Sequence, residues 1–286
     1  MDPDPTLDAL GLPHEKNASA EEEAWGVYAD KIGNIDSEEM QRRITEYKQA
    51  GTICLNTAEY KESAHFKANA HVSLYEIHNL HNGKQPACWW PASPQTSARR
   101  PLAGLKVVDL TRIIAAPAVT RGLADLGASV MRVTAGHVPD MSSLHLDLNW
   151  GKWNTHLDFR QEHDCEKMRA LILDADVVVT GYRPGVLDKY GFGVEDMLAL
   201  TWGRERGLIV VRENSYGWNG EWKDRSGWEQ IADAVCGVSL EYGRAMGREE
   251  PVTPVVPNSD YCTGVAGKDV RINASRTDRN CCCVDI

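Results

Sequence analysis

The sequence predicts an α/β fold in which a mostly parallel sheet has helices on both faces and is preceded by a mainly helical N-terminal segment. Between residues 105 and 211, short apolar runs of strand length alternate with stretches of helical periodicity. That order is typical of parallel strands joined by crossover helices. Upstream, residues 37–50 carry apolar side chains at helical spacing.

The sequence of the N-terminal third predicts three segments. Residues 1–36 are acidic and rich in Pro, Asn and Ser, and we expect this segment to be partly disordered. The run Asp36-Ser37-Glu38-Glu39 is a capping-box pattern and predicts a helix from Ser37 to Ala50. Residues 37–100 are therefore predicted to be a helical segment followed by a linker at 85–100, with a domain boundary near residue 100.

A strand, helix and strand follow this boundary. Leu105 to Leu110 is an apolar run typical of a buried parallel strand. Pro117 suits the first turn of the next helix, where its missing N–H costs nothing. The helix is predicted to end at Gly127, and Ser129 to Val133 reads as the second strand.

The alternation then continues with four more elements. The pattern predicts a helix from Glu166 to Leu173 and a strand from Asp176 to Thr180. A short helix from Val194 to Leu200 and a strand from Leu208 to Val211 follow. Strands that alternate with helices imply a parallel sheet covered on both faces.

Composition limits the classes of partner. A net charge of −10 argues against nucleic acid and against an anionic membrane, because both favour clustered Lys and Arg. The N-terminus has neither a signal-peptide nor a transit-peptide pattern, so we expect a cytoplasmic protein, with mitochondrial and peroxisomal locations left open. The eight cysteines lack paired CxxC spacing and are interpreted as isolated thiols, with no metal site.

Two strand-to-helix loops are candidate ligand sites. The loop after the first strand, with Arg112, Ile113 and Ala115, offers backbone N–H groups and a helix dipole to an anion, although it lacks a glycine-rich phosphate motif. The loop at 181–193 follows a buried strand and carries Arg183 and Lys189, which could hold phosphates. A solvated turn with two surface cations is the alternative interpretation of that second loop.

A third candidate is Asp260, which lies among turn residues and small residues at 257–264. Taken alone, such an aspartate is usually a turn residue or a helix N-cap. The surrounding sequence, however, resembles class III CoA-transferases, the CaiB/BaiF family that includes formyl-CoA transferase and α-methylacyl-CoA racemase. The matching runs cover residues 101–267 and lie at 101–112, 123–130, 157–160, 175–179, 181–185 and 257–264.

The resemblance implies a Rossmann-like domain at 101–267 that uses acyl-CoA as substrate and forms a homodimer. It implies that Asp260 attacks the thioester to give an aspartyl anhydride and then an aspartyl-CoA thioester, which a carboxylic acid resolves. The N–H groups near Gly264 are the suggested oxyanion support.

The resemblance also implies which residues bind CoA. These are the first loop, a basic residue after the second strand and a basic residue before the Gly-Phe-Gly run. Lys189 matches the last of these, and Arg183 lies near it in the sequence. The family commonly carries Glu and Arg where this chain has residues 134–137, so Arg132 is the proposed substitute.

One position favours transfer over racemisation. Racemases of this family carry Gly-His-Asp where this chain has Gly227-Trp228-Glu229, and Trp228 cannot take a proton. Glu229 is either a helper of the reaction or a helix-surface glutamate. A racemase-like proton transfer and a non-catalytic CoA-binding fragment remain the two alternative functions.

Residues 268–286 do not resemble the family and are expected to form a separate tail. The run that follows Gly267 is polar and aperiodic, and the last residues include three consecutive cysteines. One hypothesis is translation through an unspliced intron, because Gly-Lys can be encoded across a splice donor. On that hypothesis the family's glycine-rich lid and much of its dimer interface would be absent, which would leave the chain inactive.

Overall fold

The computed structural model describes residues 3–14, 21–79, 85, 89–274 and 282–286, with residues 21–22, 268–274 and 282 described by their backbone alone. The chain divides into two compact units. One unit comprises residues 1–69 and 219–257, and the other comprises 70–218 and 258–286. The units therefore differ from the linear segments expected from the sequence, since the N-terminal helices are grouped with a segment from the other side of the α/β region.

Helices and strands alternate through most of the described chain. The strands β1 to β7 are Glu76–Asn79, Lys106–Leu110, Ser129–Thr134, Lys152–His156, Val177–Thr180, Ile209–Arg212 and Cys282–Asp285. The helices α1 to α12 are Asp4–Leu10, Glu21–Gly33, Ser37–Glu46, Thr57–Glu62, Ala64–Asn69, Ala115–Asp125, His145–Leu148, Glu162–Asp174, Val194–Thr201, Glu229–Cys236, Val238–Ala245 and Asn258–Ala274. Two short 3₁₀ helices lie at Ser142–Leu144 and Asp188–Tyr190.

Within the described ranges the strands form a seven-stranded sheet in the order β1-β7-β6-β5-β2-β3-β4. β1 pairs antiparallel with β7, and all the other pairs are parallel. The mostly parallel α/β fold is thus confirmed. From β2 the chain runs outward through β3 and β4, and it then returns to the other side of β2 for β5, β6 and β7. The direction of winding therefore reverses between β2 and β5, where open α/β sheets bind their ligands.

The central strand β5 is buried on both faces, because neighbouring side chains point to opposite sides of the sheet and helices cover both sides. Val107 and Val177 join the cluster that includes Val119 and Leu123 of α6. Val108, in contrast, belongs to the opposite cluster, which includes residues of α8 and α9. Full burial of a Val or Leu side chain contributes roughly 1.5–3 kcal/mol, so these continuous apolar runs fix both helical layers.

The sequence predicted the four central strands of this sheet but not its other strands. The strands at β2, β3, β5 and β6 are confirmed to within one residue at each end, whereas β1, β4 and β7 were not predicted. The helix predicted from Ser37 to Ala50 ends at Glu46, and Lys48 adopts a positive φ of 54°. Asp36 caps this helix by accepting hydrogen bonds from the N–H groups of Glu38 and Glu39.

The first unit contains helices α1 to α5, α10 and α11, and its N-terminal part is mainly helical as predicted. The backbone N–H of Leu55 donates to the carbonyl of Ala234, and the ring of His65 stacks on Trp222 at 4.6 Å. Residues 15–20 of the segment expected to be partly disordered lie outside the described residues. Helix α12 continues to Ala274, and β7 lies between β6 and β1, so parts of the tail that follows residue 267 are joined to the second unit.

Across the part of the chain that the structure describes, no helix is both long and apolar enough to cross a membrane.

Candidate active site

Three loops meet where the winding of the sheet reverses. Gly181 follows β5, and a Cβ atom at this position would lie 2.8 Å from Cβ of Ala116 in the first turn of α6. The same Cβ atom would lie 3.2 Å from Oε2 of Glu213, the residue that follows β6. Real Cβ atoms do not approach another Cβ atom within 2.8 Å, so glycine at position 181 lets β5 and α6 converge here, with the carboxyl group of Glu213 beside them. This convergence defines the candidate site.

The loop after β2 is held in a strained conformation. Ile113 has a φ of 70°, which is rare for a β-branched residue and costs on the order of 1–3 kcal/mol. Ala115 follows at the first position of α6. The Nε atom of Arg112 is buried and has no hydrogen-bond partner among the described residues. Strain and an unsatisfied cationic donor in one loop are characteristic of a ligand site.

A buried ion pair fixes the base of this loop. Nζ of Lys152 on β4 lies 2.9 Å from Oδ2 of Asp109, and both side chains are 0% exposed. Asp109 also accepts hydrogen bonds from the hydroxyl groups of Thr111 and Thr120, at 2.5 and 2.6 Å. Burial lowers the pKa of Lys152, and the carboxylate of Asp109 opposes that shift. The network joins the end of β2 to the first turns of α6 and so sets the position of the loop between them.

Asp260 lies in the first turn of α12, the helix that packs against α6. The contact is close because two glycines face α6. A Cβ atom at Gly264 would lie 2.5 Å from Cβ of Ala118, and one at Gly267 would lie 2.7 Å from Cγ2 of Val119. These glycines let α12 approach α6. Asp260 and the loop after β2 both belong to the second unit.

The structure places Gly264 within a helix, away from the helix N-terminus. It lies inside α12, where backbone N–H groups donate within the helix. The N–H groups that lack a helical acceptor are those of the first four residues of a helix, and Gly264 comes after them. The structure gives Gly264 a packing contact with Ala118, and oxyanion support near this residue stays a prediction.

Glu213 brings a second carboxyl group close to Asp260. It is partly buried, and its backbone N–H donates to the carbonyl of Thr180 at 2.9 Å, which extends the β5–β6 pairing by one residue. Burial raises the pKa of Glu213 to about 7, and the negative charge of Asp260 acts in the same direction. Glu213 was not among the predicted site residues, although a carboxylate directly after a short apolar strand was a usable signal.

Arg132 is occupied by the protein itself. Its side chain is 5% exposed and forms an ion pair with Asp140, and it also lies 3.3 Å from Nε2 of His145. Burial acts to raise the pKa of Asp140, but the nearby cation of Arg132 contributes to a net lowering of that pKa. In this structure Arg132 therefore anchors the segment after β3, and its contact with a ligand phosphate stays a prediction.

Arg183 and Lys189 are both exposed in the loop that follows β5. Beside this loop lies an open, mainly apolar cavity at the carboxyl ends of β2 to β5. Burial raises the pKa of Tyr182 in its wall, while the nearby cation of Arg112 opposes this shift. The cavity is lined by Leu110, Val133, Thr134, Ala135, His137, Val138, Leu157, Phe159, Tyr182, Val186, Leu187 and Tyr190.

Glu229 belongs to the first unit, where it begins α10. It is 7% exposed, so the interpretation as a helix-surface glutamate is wrong. The apolar spacing of α10 did not reveal this burial, because Glu229 is the first residue of the helix. Within the described ranges, no group of three or more His, Cys, Asp or Glu side chains is arranged to hold a metal ion.

Comparisons with known proteins agree on one family. The sequence profile of CoA-transferase family III matches residues 102–268, which is more than half of the 286 residues. An acetyl-coenzyme A transferase, nodX, from Hypoxylon pulicicidum is 53% identical over 281 residues, covering 96% of this chain and 47% of that protein. An acyl-CoA transferase from Gibberella moniliformis is 34% identical over 260 residues, covering 90% of this chain and 45% of that protein.

A solved structure gives the same result. A CaiB/BaiF family protein from Brucella suis superposes with a TM-score of 0.53 at 29% identity, covering 65% of this chain and 53% of its own. The chain spans less than half the length of both transferases described above. The profile match, the relatives and the fold together show that the chain belongs to CoA-transferase family III.

Proposed function

We propose that this chain transfers CoA from an acyl-CoA thioester to a carboxylic acid through a covalent intermediate on Asp260. Two relatives are named as an acetyl-coenzyme A transferase and an acyl-CoA transferase. The observation that carries the proposal is the place of Asp260, in the first turn of α12 and held against α6 by Gly264. A helix N-terminus favours negative charge, which suits an ionised nucleophile.

The proposed reaction is a series of acyl exchanges. The carboxylate of Asp260 attacks the thioester carbon, the C–S bond breaks, and the electron pair leaves on the CoA sulfur to give an aspartyl anhydride and CoA thiolate. The thiolate then attacks the aspartyl carbonyl, which releases the first acid and leaves an aspartyl-CoA thioester. The acceptor carboxylate attacks that thioester, and the released thiolate finally takes the new acyl group and frees Asp260.

Carboxylates are weak nucleophiles in water, so alignment and partial exclusion of water must supply much of the acceleration. Alignment of two reacting groups contributes about 7–11 kcal/mol in the best cases. The rigid parts of this site are suited to that task, because the ion pair of Asp109 with Lys152 and the close contact of α12 with α6 fix the surrounding backbone.

The cavity beside Tyr182 is proposed to hold the nucleotide end of CoA. Its apolar wall can receive a base, and Tyr182 and Phe159 offer rings for stacking. Arg112, with its unpaired buried Nε, lies near enough to Tyr182 to affect its pKa. We assign Arg112, Arg183 and Lys189 to the phosphates, because cations at the mouth of an apolar cavity match the two parts of a nucleotide.

Trapping of the intermediate tests the function. The chain is incubated with acetyl-CoA or succinyl-CoA, treated with hydroxylamine, digested and analysed by mass spectrometry. We expect a hydroxamate on Asp260 that depends on acyl-CoA, with Asp30, an exposed aspartate of α2, unmodified in the same digest. Binding of CoA without any adduct on Asp260 would instead indicate a non-catalytic CoA-binding protein.

A matched pair of variants tests the cavity. We expect Tyr182→Ala to weaken CoA binding by about 5- to 150-fold, since stacking of a base on an aromatic ring contributes about 1–3 kcal/mol. Tyr182→Phe keeps the ring and should bind CoA like the unaltered chain. Calorimetry with CoA and with pantetheine, which lacks the nucleotide, separates the two ends of the ligand. Equal losses for both ligands would show that Tyr182 does not contact the base.

A further inference from the structure

Glu213 has no part in the reaction described above, yet it lies at the centre of the site. Its Oε2 atom is placed over the end of β5 beside Gly181, and Ala116 of α6 borders the same space. The hydrogen bond from its N–H to Thr180 fixes its backbone to the sheet. The side chain therefore starts from a fixed point at the end of β6, and its Oε2 atom lies where Gly181 approaches Ala116.

The groups around Glu213 determine its charge. Asp260 on α12 is the charged residue that acts on it. Besides Oε2 of Glu213, the atoms nearest to the Cβ position of Gly181 belong to Ala116 of α6 and Thr111 of the loop after β2, which carry no charge. The neighbouring Arg212 lies on β6 and forms two hydrogen bonds of 2.7 Å with Asp285 of β7. Among the described residues, the influences on the pKa of Glu213 are its burial and the negative charge of Asp260, and both favour the protonated form.

We propose, on the basis of the function inferred above, that Glu213 is a positioning residue that must carry its proton while Asp260 attacks the thioester. In this state the site holds a single negative charge, that of the nucleophile. Attack transfers this charge first to the carbonyl oxygen and then to the departing CoA sulfur, while Glu213 keeps its proton throughout. An ionised Glu213 would add a second negative charge beside the carbonyl oxygen and the CoA sulfur. It would also repel the acceptor carboxylate.

The proposal predicts a specific pH dependence. The protonated fraction of Glu213 falls above about pH 7, the value to which burial and Asp260 raise its pKa. The rate of formation of the Asp260 adduct should then fall about tenfold per pH unit, to about 1% of its plateau at pH 9. The variant Glu213→Gln mimics the neutral carboxyl group, so its rate should stay at the plateau from pH 6 to 9. Glu205→Gln, at an exposed glutamate, should keep the falling profile.

A second measurement does not depend on activity. In the chain labelled with ¹³C at its glutamate carboxyl carbons, NMR should show Glu213 titrating near pH 7, with the resonance assigned by its absence from Glu213→Gln. In Asp260→Asn the midpoint should move down, because the negative charge of Asp260 is removed, and it should stay above the ordinary glutamate value because burial persists. This comparison also decides the matter if Glu213→Gln does not fold, since the peak that shifts in Asp260→Asn then identifies Glu213.

The outcomes separate the two proposals. Absence of an Asp260 adduct at every pH would overturn the transferase function, while the NMR titration would still report whether Glu213 holds a proton. An adduct that forms at one rate from pH 6 to 9, or a Glu213→Gln variant that keeps the alkaline fall, would overturn the role of Glu213 alone. A Glu213 titration near 4.5 would have the same consequence.

Discussion

Replacement of Asp260 by Asn is expected to lower CoA exchange between an acyl-CoA and a free acid by about 1,000-fold or more. The amide has the size of the carboxylate, but it cannot form the anhydride, so the covalent route is lost. Asp260 lies in the first turn of α12, and Asn is also tolerated in such positions, so the fold should be kept. The measurement is transfer of isotopically labelled CoA between the two acids, with circular dichroism to verify folding.

Two further variants test whether the loss of exchange is specific to the carboxylate of Asp260 and to its position. Asp30→Asn removes an exposed carboxylate from α2 and should leave exchange unchanged. Asp260→Glu keeps the charge but moves it by one methylene, and an error of about 1 Å in position costs about 100-fold. We therefore expect the order Asp30→Asn, Asp260→Glu, Asp260→Asn in falling activity. Exchange by Asp260→Asn at the rate of the unaltered chain would remove Asp260 from the mechanism.

The largest expected effect on stability comes from Lys152→Met. Lys152 and Asp109 are both 0% exposed, and Met fills a similar volume without charge. The carboxylate of Asp109 would remain buried with no cation beside it, which costs about 3–5 kcal/mol. Unfolding in urea, followed by tryptophan fluorescence, measures the loss.

The double variant Asp109→Asn with Lys152→Met is the matched control. It removes both charges, so it should recover much of the stability lost by Lys152→Met alone. If instead the losses of the two single variants add up in the double variant, the energetic coupling of the two charges is absent. A loss below about 1 kcal/mol for Lys152→Met would mean that water reaches Asp109 in solution.

The sheet was largely predictable because its strands are short apolar runs with a polar or glycine residue at their ends. Val177 to Val179, for example, must be buried on both faces, and a parallel sheet is the usual environment for such a run. The strand β4 was missed because it is an edge strand with polar and exposed positions, among them Trp153 at 68% exposure. Its sequence carries little sign of burial, and pairing with β3 decides its conformation.

The site was predictable only in part. The two loops were predicted from their position after buried strands, and the role of Asp260 was predicted through the resemblance to a family, whereas Glu213 and the pair of Asp109 with Lys152 were not predicted. Lys152 lies 43 residues from Asp109 in the sequence, and no local spacing encodes that contact. The environment of Glu213 likewise depends on Gly181 and Asp260, which only the folded sheet brings near it.

The discontinuous first unit has a consequence for the order in which the chain folds during synthesis. Residues 1–69 leave the ribosome first, but their unit also includes residues 219–257, which follow almost the whole α/β region. Contacts such as that of Leu55 with Ala234 join residues far apart in the sequence, and such contacts are slow to form because long loops must close first. The N-terminal helices can therefore complete their unit only after residues 219–257 have been translated, and chaperones would be expected to bind their incompletely packed surface until then.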